Sequence, residues 1–503
     1  MNKNIFFSRK NIIIFFACAV PFISFTGTNL QQLYYFDFLS LSKYFAILFL
    51  IVFLLIKLLS QNKFFKDKEP EIIISYAILI FFNYNTLKIL IKDVFHFQEF
   101  RIITFILWLS LFTIIIYKLL KIVKNKNLLD FTYKFFSFFF FISFIFFFLN
   151  SLTLKKDEDF NFKNSKSQIE KNININNLKN PRNVYYILLD SYPRQDSLIN
   201  DFDYDNSEFL RKIKSFGFHN ISNSISNTDS THLNQTLVFD MSLDKVINYY
   251  GQIEDFSIGV PREFSDWKYG YTSVHRIFHK LGYLNYLSLD KTFRGTPCRM
   301  KDLSKTGLDK CITQKIFVGE LEINFLQNTP IIDILGKFFP SFFSYSFLYP
   351  KDITNQLGNI INNKKKIFYY LHFMIPHPPP KYDDACRIKT EIFEMNIKDH
   401  ASSSAKKAVK QDIKCLNNEL LDFTKSLNDL DPDSIVIFQS DNGWFLPKFP
   451  DNHFNINIWK LPSECKNMIS KNFSNVNTFR VVFNCLGVAN FNLVEDKIIR
   501  QSN

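Results

Sequence analysis

The residues best suited to chemistry sit at the ends of two apolar runs. Residues 183–194 read NVYYILLDSYPR, strand-forming residues that drive into Asp190 and then a turn-forming Ser-Tyr-Pro. Residues 434–443, SIVIFQSDNG, repeat the pattern: a β-branched run ends on Asp441, followed by Asn442 and Gly443. A buried strand that ends on a carboxylate carries that charge to the carboxyl edge of a sheet, where open α/β folds put their chemistry. Two such tips supply hard oxygen donors able to meet around one metal ion.

Between the tips lies FHNISNSISNTDSTHLNQTL at 218–237, a hydroxyl-rich turn leading into an apolar-periodic stretch. Its Ser, Thr and Asp suit a helix amino-terminal cap, and a plain cap explains the same pattern. A hydroxyl there also feels the positive end of the helix dipole, which stabilises an alkoxide or an attached phosphate. Thr231 is the candidate nucleophile and Ser230 the next. A third run, IFYYLHFMIPHPPP at 367–380, carries His372 and His377 around a prolyl turn that stiffens the loop. An imidazole there can neutralise charge on a phosphoryl or sulfuryl group or donate to the leaving oxygen. For His372, holding a metal ligand in place is the other reading.

The elements that must position these groups alternate along the chain. Apolar runs of strand length and helix-like stretches follow one another at 183–190, 207–216, 283–289, 366–374, 409–429 and 434–440, which predicts an α/β domain with a mostly parallel sheet covered on both faces. That domain is expected over 182–503. Residues 155–181 are polar and of low complexity and read as a linker. The first 154 residues read as a membrane module of about five helices, near 11–27, 40–59, 72–91, 102–122 and 132–153, each close to the ~20 residues that cross a hydrocarbon core. The stretch FFPSFFSYSFLYP at 338–350 is too broken by Pro and Ser to span; it either packs onto the domain or grazes the membrane surface.

Basic residues cluster at Lys3, Arg9 and Lys10, at Lys57, Lys63, Lys66 and Lys68, and at Lys118, Lys121, Lys124 and Lys126. These loops are expected on the cytoplasmic side, so that an odd number of crossings leaves everything after about residue 155 outside. The cysteines fit that compartment. Cys18 lies in the first span, and Cys298, Cys311, Cys386, Cys415, Cys465 and Cys485 form an even set beyond it. Chain order suggests the pairs 298–311, 386–415 and 465–485, with other connectivities open. The net charge of +13 does not imply nucleic acid, because much of the Lys flanks spans and Phe, Ile, Asn and Lys are enriched throughout.

Taken in order, NVYYILLDSYPR, SNTDSTHLNQ, LHFMIPHPPP, QSDNG and VNTFRVVFNCL at 476–486 resemble the sulfatase-like branch of the alkaline phosphatase superfamily. The likeness is to bacterial membrane proteins with five spans and an outer catalytic domain, such as lipoteichoic acid synthases and phosphoethanolamine transferases. It implies a five-helix transmembrane bundle followed by an α/β/α sandwich at the bacterial inner membrane, with the catalytic domain on the outer side. Asp190, Asp441 and Asn442 would be metal ligands, Thr231 a metal-bound nucleophile, and His377, His372 and His453 contacts for the substrate phosphate.

The transferases usually have Asp-His-Gly where this chain has Asp-Asn-Gly. A neutral oxygen there favours Ca²⁺, Mg²⁺ or Mn²⁺ over Zn²⁺. No C/S-x-P-x-R motif occurs near 218–237, which argues against a formylglycine sulfatase. The activity expected is transfer of a phospho-substituent, phosphoethanolamine or phosphoglycerol, from a phospholipid to a surface glycan or glycolipid through a phospho-threonine. The alternatives are a hydrolase of esters on extracellular polysaccharide and a non-catalytic envelope scaffold, the latter kept open by the single carboxylate after the first strand.

Overall fold

The computed structural model describes residues 8–30, 33, 35–62, 65, 69–95, 101–122, 126–153, 168–251, 260–290, 297–299, 302–313, 320–339, 347–362, 364–389, 402–444 and 451–500. The chain divides into two compact units. One comprises residues 1–158 and 317–344, the other residues 159–316 and 345–503.

The first unit is built on α1 (Arg9–Asn29), α2 (Tyr35–Gln61), α3 (Pro70–Phe81), α4 (Tyr84–Phe95), α5 (Arg101–Ile122) and α6 (Lys126–Thr153). Among the described residues, four helices are long and apolar enough to cross a membrane, and the pair α3–α4, bent by 42°, makes a fifth crossing if counted as one span. The chain is a membrane protein. Ser8 caps α1 by accepting from the Asn11 amide, and the 21 residues that follow rise about 31 Å, the thickness of a hydrocarbon core. α1 is the central helix: Ile13, Ile14, Ala17 and Cys18 bury against Ile74, Ile78 and Phe136. Leu50, Ile51, Leu107, Phe138 and Phe141 stay exposed on α2, α5 and α6, as helices in hydrocarbon require. Helices Glu320–Leu326 and Ile331–Phe338 also belong to this unit.

The second unit is a seven-stranded sheet between two layers of helices. In chain order the strands are β1 (Val184–Leu189), β2 (His219–Asn220), β3 (Asn223–Ile225), β4 (Leu284–Ser288), β5 (Lys310–Ile312), β6 (Ile367–Phe373), β7 (Ile435–Gln439), β8 (Asn457–Lys460) and β9 (Asn472–Ser474). The sheet order is β2-β8-β7-β1-β6-β4-β5, and β3 and β9 pair separately. The strands β7, β1, β6, β4 and β5 run parallel, and β8 and β2 add antiparallel at one edge. All six residues of β1 are buried, as a central strand covered on both faces demands. Its alternation divides the core: Tyr185, Ile187 and Leu189 pack with Leu416, Leu420 and Phe423 of the long helix Ser403–Leu430, while Val184, Tyr186 and Leu188 pack with Val238 and Phe239 of helix Thr231–Asp240 and Phe479 and Val482 of helix Thr478–Cys485.

The pairs Cys298–Cys311, Cys386–Cys415 and Cys465–Cys485 are disulfide-bonded, matching chain order, and Cys18 is free and buried. Within the stretch read as a linker, residues 169–177 form two 3-10 turns. Glu170 there is buried, with its carboxylate accepting from Arg276 at 2.7 Å and also from Lys280. Of the stretch 338–350, residues 340–346 lie outside the described residues.

Candidate active site

Register sets the site. In the parallel ladder Leu188 of β1 lies opposite His372 of β6 and Gln439 of β7, so Asp190 and Asp441 leave adjacent strands at the same carboxyl edge. Ser191 joins them. Its amide donates to Asp441 Oδ1 at 3.1 Å and its hydroxyl to Asp190 Oδ1 at 3.0 Å. Ser191 is fully buried at φ +63°, a left-handed conformation that costs a non-glycine residue roughly 1–2 kcal/mol, and its two bonds to the tips hold it there.

The other two elements close on these tips. Ser230 is the cap residue, and Thr231 opens the ten-residue helix that follows, its Oγ1 donating to Asp441 Oδ2 at 2.5 Å. Asn442 reaches the same turn, with Nδ2 donating to the Asp229 carbonyl at 3.0 Å. On the β6 side, His372 Nε2 lies 2.8 Å from Asp190 Oδ2, and the His377 amide donates to the Asp190 carbonyl at 3.0 Å. A carboxylate can only accept, so His372 donates and holds Asp190 in place. His377 Nδ1 lies 2.6 Å from the Pro378 carbonyl, which likewise fixes the proton on Nδ1 and leaves Nε2 as the basic nitrogen of the neutral ring. His453 is buried, with Nδ1 3.1 Å from Ser226 Oγ and its carbonyl accepting from the Ser226 amide at 2.8 Å. Thus Asp190, Thr231, Asp441, Asn442, His372 and His377 form one bonded constellation. His453 is bonded instead to Ser226, three residues ahead of Asp229.

Two carboxylates buried this closely cannot both ionise freely. Burial, then the Asp190 charge, pushes Asp441 up. Burial also opposes ionisation of Asp190, but His377, His372 and the Ser191 hydroxyl outweigh it and hold that group low. Burial lowers the basicity of His377 against the pull of Asp190, and that of His453 against the pull of Asp229.

The donor set fits a hard divalent cation. It is all oxygen: two carboxylates, the Thr231 hydroxyl and the Asn442 carboxamide. Asn442 Oδ1 is buried with no hydrogen-bond partner among the described residues, as expected of an atom reserved for a ligand. Among those residues no group of three or more His, Cys, Asp or Glu side chains that could hold a metal ion gathers.

Several supports carry no signature in the sequence. Lys381 is buried, its ammonium donating to the His377 carbonyl and lying 4.3 Å from the centre of the Phe347 ring. Its amide and that of Tyr382 are held by Asp412. Burial lowers the Lys381 pKa to about 8 and raises that of Asp412 to about 6. Arg194 grips both oxygens of Asp196 and the Ser224 carbonyl, with its guanidinium 3.9 Å from the centre of the Phe454 ring. Beneath Asp441, Asn455 and Asn475 both donate to the Ser440 carbonyl, and Gln439 bonds Tyr186 and Thr478. An Asn, a Gln or a Lys in a loop reads as solvent-facing until the fold covers it.

A sulfatase family model matches residues 182–454, more than half of the chain. The chain belongs to the sulfatase family. It is a sulfatase-like enzyme of the alkaline phosphatase superfamily, and the family implies a divalent metal. Solved structures similar to it include three bacterial proteins. The C-terminal periplasmic domain of EptC from Escherichia coli, in complex with Zn, has 9% identity and a TM-score of 0.40 over 61% of this chain and 83% of that one. The lipoteichoic acid synthase LtaP from Listeria monocytogenes has 13% identity and a TM-score of 0.36 over 68% and 80%. The soluble domain of lipooligosaccharide phosphoethanolamine transferase A from Neisseria meningitidis has 12% identity and a TM-score of 0.37 over 61% and 89%. No curated protein matches the chain in sequence.

Proposed function

We propose that this chain is a metal-dependent, membrane-anchored transferase. It moves a phospho-substituent, phosphoethanolamine or phosphoglycerol, from a phospholipid to a surface glycan or glycolipid. The observation that carries the reading is the Thr231 hydroxyl at a helix amino terminus, 2.5 Å from the Asp441 carboxylate, in a chain whose own spans give access to a lipid donor. Three disulfides and the Lys-rich loops support an outer-face location at a bacterial inner membrane, where both substrates are found.

Asp190, Asp441, Asn442 and Thr231 hold the ion, and Ca²⁺, Mg²⁺ or Mn²⁺ suits an all-oxygen set better than Zn²⁺. When bound, the cation supplies positive charge that acidifies the alcohol and screens phosphoryl oxygens. The residues do the rest. Thr231 Oγ1 passes its proton to Asp441 and attacks phosphorus, while the helix dipole favours the developing negative charge. The bond from phosphorus to the lipid oxygen breaks; His377, which has taken up a proton at its basic Nε2 from solvent before the step, gives that proton to the leaving lipid oxygen and returns to the neutral ring. The head group is then a phosphodiester on Thr231. In the second displacement an acceptor hydroxyl gives its proton to His377 and attacks phosphorus, and Thr231 leaves with its own proton restored. His372 fixes Asp190 throughout, and His453 contacts the substrate phosphate.

The test is incubation with head-group-labelled phospholipid. Wild-type protein should trap label on Thr231, Thr231→Ser should still trap it, and Thr231→Ala should trap none and lose at least about a thousandfold in turnover. Full turnover by Thr231→Ala overturns the assignment. The Asp-Asn-Gly element favours one second reading, an ester hydrolase acting on extracellular polysaccharide, which would release free sulfate or phosphate instead of a glycan carrying the labelled head group.

A further inference from the structure

The crossover from β5 to β6 contains two short helices, Glu320–Leu326 and Ile331–Phe338, that pack with the membrane helices. Phe325 is buried, its ring centre 4.4 Å from that of Phe22, 5.2 Å from Phe25 and 5.4 Å from Phe82. Leu321 is buried in the same cluster with Leu33 and Leu41. Phe22 lies seven residues before the end of α1, so at 1.5 Å per residue the hairpin reaches roughly 10 Å below the end of that span. It meets the bundle at the bend between α3 and α4.

A carboxylate at that depth is expensive unless paired. Asp333 accepts from the Tyr84 hydroxyl at 2.6 Å and lies 3.7 Å from the Lys88 ammonium, both on α4, with 9% of its side chain exposed. The opposite face is apolar and open: Leu335 and Phe338, spaced i, i+3 on one side of the helix, and Phe339 just past its end, are 39%, 73% and 57% exposed. Beside Lys88 on α4, Ile89 and Leu90 are 52% and 58% exposed, so the open face of the hairpin continues the lipid-facing surface of a span.

We propose that the hairpin 320–338 is immersed in the leaflet that holds the carboxyl-terminal end of α1, with phospholipid acyl chains covering Leu335, Phe338 and Phe339. The crossover into β6, the strand that carries His372 and leads to His377, is thereby anchored in the bilayer at a second point, apart from the connection after α6. The proposal concerns where the chain sits and is independent of the reaction assigned to Thr231.

The test uses the full chain in phospholipid nanodiscs on a Cys18→Ser background, which removes the free cysteine. Nitroxide labels at Leu335→Cys, Phe338→Cys and Phe339→Cys are compared for collision with oxygen and with an aqueous nickel chelate. Leu149→Cys, 55% exposed on α6, is the lipid reference, and Ile199→Cys, 49% exposed in the second unit, is the water reference. All three test positions are exposed, Leu335 least at 39%, so the substitutions remove little packing. The oxygen-to-nickel ratio at Leu335 and Phe338 should match Leu149 and exceed Ile199 several-fold. A ratio equal to that of Ile199 puts the face in water and overturns the proposal. Exclusion of both reagents at all three positions puts it against protein, a second copy included, and overturns it equally.

Discussion

Metal binding at the Asp190–Asp441 pair should release close to one proton per ion. Ser191 lies within 3.1 Å of both carboxylates, and both are almost fully buried. Two unit charges roughly 6–8 Å apart at an effective dielectric constant near 20 repel by about 2–3 kcal/mol, on the order of two decades in proton affinity. Without an ion, Asp441 therefore carries a proton that Asp190, held low by its histidines, does not. While the pair is protonated, each pH unit downward should weaken metal binding about tenfold, so lowering the pH by two units costs about 100-fold, or ~2.7 kcal/mol.

Calorimetric titration of Ca²⁺ or Mn²⁺ into the full chain, in buffers of different ionisation enthalpy, reads the proton count directly. Asp441→Asn should release almost none and lose most of the pH dependence. The linkage has a second sign to check: a carboxyl whose folded pKa is raised binds more protons in the folded state. Stability of the metal-free protein should then fall as pH rises through that pKa, and added metal should restore it. Affinity that stays constant across the neutral range, or equal proton release by wild type and Asp441→Asn, would refute the shared-proton picture.

Ser191→Gly removes the hydroxyl bond to Asp190 but relieves the positive φ. The two effects, each about 1 kcal/mol, should nearly cancel in thermal stability while metal affinity and turnover fall, and a large loss of stability would contradict the balance. Replacing Cys465 and Cys485 together by Ser opens a loop of 20 residues and should cost about 3 kcal/mol in the chain-entropy account, read as a shift in denaturation midpoint. Reporter fusions after residues 64, 125 and 170 should read inside, inside and outside. Any other order breaks the orientation inferred from the Lys clusters.

The strands that build the site were legible because each is an uninterrupted apolar run: 183–190, 366–374 and 434–440 became β1, β6 and β7 within a residue or two. A parallel strand covered on both faces has no polar alternation to blur its signal. The membrane helices were legible for a similar reason, except that the third apolar run bends at Phe82 and Asn83, where hydropathy alone continues smoothly. Residues 320–338 were not legible. Their helices are seven and eight residues long, and an apolar face that turns toward α1 and α4 carries the same pattern as one that turns toward the sheet.

At the site, the sequence pointed to the groups that touch one another but not to the residues that make the contact exact in register. A carboxylate after a strand announces itself; the serine that follows it does not, because its importance lies in a backbone angle and in two hydrogen bonds that exist only once β1 and β7 are side by side. Ser191 also bears on the departure noted above, the single carboxylate after the first strand. With Ser at this position the tip of β1 contributes one negative charge, and the neighbouring hydroxyl donates to that charge without adding another. Together with Asn442, this lowers the formal charge of the cradle to that of two carboxylates, which balances one divalent cation and leaves the phosphoryl group to be met by the helix amino terminus and His377. A cradle neutral with its ion repels a phosphodiester less than one carrying a third carboxylate, which suits the phosphodiester substrate of the proposed transfer.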